Sequence, residues 1–162
     1  MTQDAQQETQ VDHSPVFAIE KIYLKDASLE IPHAPQIFLE RDTPEISVQL
    51  NNGSVTIDNG VFQITLSVTV TATMKEKTMF LVEVVEAGIF RLMNIPAPDM
   101  PFVLDVTCPN ILFPYARETV SNLVTRAGFP PVMLNPVNFE VLHQQRLQQA
   151  EAQAAPAPAV SQ

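Results

Sequence analysis

The stretch VFQITLSVTVTATM, residues 61–74, alternates with a period of two. From Phe62 onward Ile64, Leu66, Val68, Val70, Ala72 and Met74 are apolar, and Gln63, Thr65, Ser67, Thr69, Thr71 and Thr73 lie between them. Successive side chains of a β-strand point to opposite faces, so this segment is a strand with one apolar and one hydroxyl-lined face. The apolar face requires a core, and the segments around it must supply one.

Upstream, EISVQL (45–50) alternates in the same way, with Ile46, Val48 and Leu50 on one side. The triplets NNG (51–53) and DNG (58–60) carry residues that accept positive φ and are expected as turns. VFAIEKIYLKDASLEI (16–31) is rich in β-formers and is expected to hold a further strand. Downstream, KEK (75–77) is a charged turn. In the following strand, TMFLVEVVEAGIFRLM (78–93), Phe80, Val82 and Val84 face one way. Met79, Leu81 and Val85 face the other, interrupted by Glu83 and Glu86. Strands joined by short turns form an antiparallel meander.

NIPAPDMP (94–101) is proline-punctuated and expected as a loop. After Cys108 the period changes. Ala116, Val120, Leu123, Val124 and Ala127 recur at helical spacing in ILFPYARETVSNLVTRAG (111–128), with Pro114 suited to a first turn and Gly128 to a stop. FPPVMLNPV (129–137) is a proline-rich loop with apolar side chains where polar ones are usual. Asn138 is a candidate cap for a second helix beginning at Phe139. Strands followed by helices predict an α+β fold: a four-stranded antiparallel sheet with two C-terminal helices packed on one face.

Three regions are expected. Residues 1–15 form an acidic, Gln-rich arm and 148–162 an Ala/Gln/Pro-rich tail, both too poor in apolar residues to offset chain ordering. Residues 16–147 are left as one domain large enough for a core.

Composition excludes several classes of function. A net charge of −9 argues against nucleic-acid binding and favours a basic partner. One cysteine rules out an internal disulfide and a multi-Cys zinc site. No apolar run reaches about 18–20 residues, so no membrane-spanning helix is expected. No basic start leads into an apolar stretch, so no signal peptide is visible and the cytosol is the expected compartment. His13, His33 and His143 lack metal-ligand spacing and are expected at the surface, and Cys108 is expected as a small buried side chain. The four glycines form no phosphate-binding loop. No catalytic residue, metal site or cofactor is expected.

What stands out is apolar surplus in residues 78–85 and 128–137. It serves either packing within the fold or a homo-oligomer, or a groove for other polypeptides. Against a polypeptide-binding protein stand a purely structural oligomerisation module and, more weakly, a small-molecule enzyme.

CPNILFPYARETVSNLVTRAGFPPVMLNPVNFEVL (108–142) closely resembles the SecB family of bacterial protein-export chaperones. IEKIYLKDASLEIPHAPQIF (19–38) and TVTATMKEKTMFLVEVVEAGIFRL (69–92) fit the same family. NILFPYAR, GFPP and NPVNF are its most specific words, and the resemblance spans about residues 16–145. The resemblance implies an ATP-independent holdase that binds unfolded precursors in the cytosol and delivers them to the SecA ATPase of the Sec translocase. It implies a homotetramer, a dimer of dimers, with the first helix between two sheets. Loop 128–137 would cover the peptide groove, and Ile46, Val48, Leu50, Met133, Leu134 and Leu142 would contact clients. Asp26, Glu30 and Glu83 would dock SecA. Asp26 and Glu30 share strand parity and lie about 13 Å apart on one face. Zinc would belong to the partner.

Overall fold

A computed structural model describes residues 12–154. Residues 1–11 of the expected arm and 155–162 of the expected tail lie outside the described residues.

Four antiparallel strands form one sheet in the order β1-β4-β3-β2. They are β1 (Val16–Glu30), β2 (Glu45–Asp58), β3 (Val61–Met74) and β4 (Lys77–Met93). The alternation of residues 61–74 translates directly into burial. Ile64, Leu66, Val68, Val70 and Ala72 are fully enclosed, and the Thr and Ser residues between them are only partly covered. The β3–β4 connection is a two-residue turn in which Lys75 and Glu76 both take positive φ, the geometry that matches strand twist. Asp42 and Glu40 hold the Lys75 ammonium beside it. The expected turn at DNG is also present, with Gly60 at φ +66.

NNG (51–53) is not a turn. β2 runs unbroken through it, with Asn51 opposite Ser67 and Gly53 opposite Thr65. Register with a long, strongly alternating neighbour outweighs the local turn preference of three residues.

The second layer is helical and begins earlier than the period change predicts. A short α1 (Met100–Phe102) leads through a π-helical turn (Val103–Thr107) into α2 (Cys108–Arg126). Pro109 occupies the first turn of α2, and Pro114 lies in its interior rather than at its start. Pro114 sits on the exposed side, as does Asn110, whose carbonyl water can satisfy in place of the missing N–H. α2 lies across β4 and β3. It presses Leu112, Ala116, Val120 and Val124 against them, all four fully buried.

Gly128 ends this helix at φ +91, as the sequence suggests. α3 (Phe139–Ala154) starts where Asn138 Oδ1 accepts a hydrogen bond from the Val141 N–H at 3.1 Å. It remains helical to Ala154, past the expected boundary at 147. Residues 148–154 are exposed, so this extension adds no core.

Candidate functional site: an apolar groove at the β2 edge

The register explains the site. On the helix side of the sheet, apolar rows run across three strands: Ile46–Ala72–Phe80, Val48–Val70–Val82 and Leu50–Val68–Val84. α2 covers the β3 and β4 members of each row and stops short of β2. β2 is an edge strand, so nothing of the sheet lies beyond it. The outermost member of each row therefore lacks a lid from the helix. Ile46 is 45% exposed and Val48 40%, whereas their row partners are buried.

The proline-rich loop after α2 arches over this strip. Between loop and strand lies a groove of about 590 Å³ lined by Ile46, Val48, Leu50, Phe113, Met133 and Leu134, with Pro131, Val132, Pro136 and Val137 along the loop. A second recess of about 400 Å³ continues from it past Ile46 and Val132 to Pro44, Met79, Phe80 and Phe129. The loop is pinned at its first residues. Phe129 is buried and stacks on Phe38 with ring centroids 5.1 Å apart, and lies at the same distance from Phe80. Prolines at 130, 131 and 136 restrict the backbone, so the roof is stiff for a loop.

Five of the six expected groove residues thus come together, in two roles. Ile46, Val48 and Met133 (70% exposed) leave apolar surface open in the groove, and Leu50 lines it while packing partly buried against the core. Leu134 is only 7% exposed, and it joins the core while forming part of the wall. Leu142 is not a lining residue. It packs partly buried against the core from the first turns of α3. Sequence reasoning missed Phe113, whose helical position carries no sign of facing β2; Phe129 belonged to the apolar surplus of loop 128–137 but not to the expected contacts.

The acidic residues occupy the opposite side of the sheet. Asp26 lies opposite Val85, Ser28 opposite Glu83, and Glu30 opposite Leu81. Residues paired across strands project to the same face, and Glu83 has opposite parity to the buried Val82 and Val84. Asp26, Glu83 and Glu30 therefore share the face away from α2, beside the hydroxyl ladder of β3, where Thr69 lies opposite Glu83. The shared parity of Asp26 and Glu30 holds because the β1 irregularity falls before them, between Leu24 and Asp26.

Glu86 does not share that face. It has the parity of Val82 and Val84, points toward α2 and is 4% exposed. Its Oε2 has no hydrogen-bond partner among the described residues. Burial, and secondarily the Glu118 carboxylate, push its pKa above the ordinary range.

The Cys108 thiol is buried and pushed up to about 12 by desolvation, so it is no nucleophile near neutrality. His143 is not a surface histidine. Its side chain is 11% exposed, and Nδ1 lies 3.1 Å from Asp105 Oδ2, tying α3 to the π-helical turn. That tertiary contact has no trace in local sequence. Among the described residues no cluster of three metal-ligating side chains occurs, and no helix is long and apolar enough to cross a membrane.

A four-stranded antiparallel sheet, one helical layer and an open apolar trough under a stiff loop define an α+β fold of the SecB-like chaperone class. The fold matches that of a SecB-like chaperone from Mycobacterium tuberculosis, solved in complex with a ChAD peptide from the HigA1 antitoxin. The TM-score is 0.61 at 16% identity, over 75% of this chain and 91% of that one.

The chain belongs to the SecB family: the family profile described as preprotein translocase subunit SecB matches residues 10–150. Protein-export protein SecB of Chromobacterium violaceum is 62% identical over 88% of this chain and 96% of its own. Its counterpart in Methylobacillus flagellatus is 55% identical over 89% and 92%. The protein is accordingly a protein-export chaperone of this family, not an enzyme.

Proposed function

We propose that the protein is an ATP-independent holdase that binds unfolded precursor polypeptides in the β2-edge groove, in the cytosol, and hands them to the SecA ATPase. The observation that carries the reading is the uncovered strip Ile46–Val48–Leu50 beneath loop 128–137. A folded protein offers neither an extended backbone nor free apolar side chains to such a groove.

Energetics accounts for the lack of any need for ATP. A ligand that binds only the unfolded state pulls the folding equilibrium back by mass action. Each buried client side chain contributes roughly 1.5–3 kcal/mol. Ordering the client costs roughly 1–2 kcal/mol per residue and offsets much of this. A single short segment binds weakly, and a long client spanning several grooves binds tightly through effective concentration.

Several grooves require several copies. Phe17, Ile19 and Leu24 expose apolar side chains along β1, the other edge of the sheet, which favours self-association into a homotetramer. Asp26, Glu30 and Glu83 are the candidate docking surface for SecA, separated from the groove by the thickness of the sheet. Client and translocase could then be held at once.

The test is light scattering of a refolding client without nucleotide. Suppression at near-stoichiometric chaperone supports the holdase. Unimpeded aggregation supports a protein whose apolar surplus serves only its own assembly.

A further inference from the structure

The apolar strip on β2 ends in a polar residue. Asn52 follows Ile46, Val48 and Leu50 on the same face, opposite the buried Leu66. Its Nδ2 donates to Asp105 Oδ1 at 3.5 Å, and the other carboxylate oxygen, Oδ2, lies 3.1 Å from His143 Nδ1. Asp105 thus bridges β2, the floor of the groove, and α3, into which the roof runs. The π-helical turn that carries Asp105 packs against both elements. Such turns are rare and are found often at functional sites.

We infer that Asp105 is a positioning residue for the groove: it fixes the separation of floor and roof at the end away from Phe129. This rests on the groove being the client site. The start of the roof is held by Phe129 between Phe38 and Phe80. At the other end Phe139 is buried and meets Phe113 edge-on, with ring centroids 6.1 Å apart. That contact fixes a point on α3; a second contact one turn later, at His143, fixes the direction of the helix. β2 gains as well, since an edge strand has a hydrogen-bonded neighbour on one side only. A groove whose walls are fixed beforehand loses less freedom when a chain enters, and holds that chain more tightly.

The bridge responds to protons. Histidine takes up a proton as pH falls from about 8 to 5. Once His143 is cationic, its bond to Asp105 joins two opposite charges in a largely covered site and strengthens. From the other elements α1 presents the edge of the Phe102 ring, with centroids 6.3 Å apart, and β2 presents the uncharged Asn52 amide through Asp105. On α3 itself Glu140 and Arg146, opposite in sign, lie three residues to either side. Floor and roof are therefore held more firmly as pH falls through this range.

The test measures the affinity of the full chain for a fluorescently labelled unfolded polypeptide without histidine, between about pH 8 and pH 6. Asp105→Asn and His143→Gln are measured alongside. Wild-type affinity is expected to rise about fivefold over that range, and both variants to stay flat within about twofold. Hydrogen–deuterium exchange of the amides of residues 142–146, corrected for the intrinsic pH dependence, is expected to slow toward the lower pH in the wild type alone. Thermal melts check folding, and should one variant not fold, the other decides. A role in stability alone lowers Tm and leaves the slope of affinity against pH intact, so a folded variant that keeps the wild-type slope would overturn the inference. A rise in wild-type affinity without slower exchange would overturn it too. If the wild type binds no unfolded chain, the groove reading falls and this one with it; the exchange data stay readable and separate the two failures.

Discussion

Phe129→Ala removes the ring that pins the start of the groove roof. The wild-type ring is 7% exposed and contacts Phe38 and Phe80, with both centroids 5.1 Å away. Buried Phe→Ala changes cost about 3–5 kcal/mol. For a domain of this size each kcal/mol moves Tm by about 2–4 °C, so Tm is expected to fall by about 6–20 °C. Phe129→Leu keeps most of the volume and loses chiefly the aromatic pairing, about 0.5–1.5 kcal/mol, for a fall of about 1–6 °C. Thermal melts at one fixed protein concentration read both, since self-association stabilises by mass action. Client affinity is measured alongside, below the lower Tm. The loop is roof as well as core, so affinity is expected to fall in Phe129→Ala and largely survive in Phe129→Leu. A Tm loss under about 2 °C in the alanine variant would refute the packing argument. A full Tm loss at unchanged affinity would refute the claim that Phe129 shapes the groove.

Three further outcomes are expected. In Gly88→Ala the new Cβ meets Phe90 Cε2 at 2.5 Å and Leu112 Cδ2 at 3.1 Å, an overpacking expected to cost about 1–3 kcal/mol in urea unfolding; an unchanged midpoint would mean α2 can shift to make room. Glu86 has a folded pKa raised above its ordinary 4.5, so the wild type loses stability as pH rises from that value through the folded one. Glu86→Gln stays neutral, and its stability gain is expected near zero at about pH 4 and larger at about pH 8, with a pH-independent difference counting against the assignment. Glu83→Lys is expected to lower SecA affinity and its salt sensitivity in calorimetry while client binding holds; equal SecA affinity in the variant would remove Glu83 from the docking face.

The sheet was legible because β3 alternates over its whole length, and one buried face fixes the register of its neighbours. The groove was legible as residue types: Ile46, Val48 and Leu50 share parity, and an apolar loop is unusual. Its position was not. That β2 lies at the edge follows from strand order, which pairing with β1 on the far side of β4 decides and no local pattern encodes. Local signals misled wherever a tertiary partner outweighed them. Gly53 is held in a strand by Thr65, Leu134 and Leu142 are drawn toward the core, and His143 is tied to Asp105. Glu86 was placed on the wrong face because a carboxylate is expected in water, although its parity with Val82 and Val84 already pointed inward.

The most direct measurement of the central claim is photo-crosslinking from single positions to an unfolded chain. A photoreactive side chain at Val48, in the groove, is compared with one at Thr69, on the opposite face of the sheet. The account predicts strong client crosslinks from Val48 that vanish when the client is allowed to fold first, and background levels from Thr69. Equal labelling from both faces, or labelling from Thr69 alone, would contradict it.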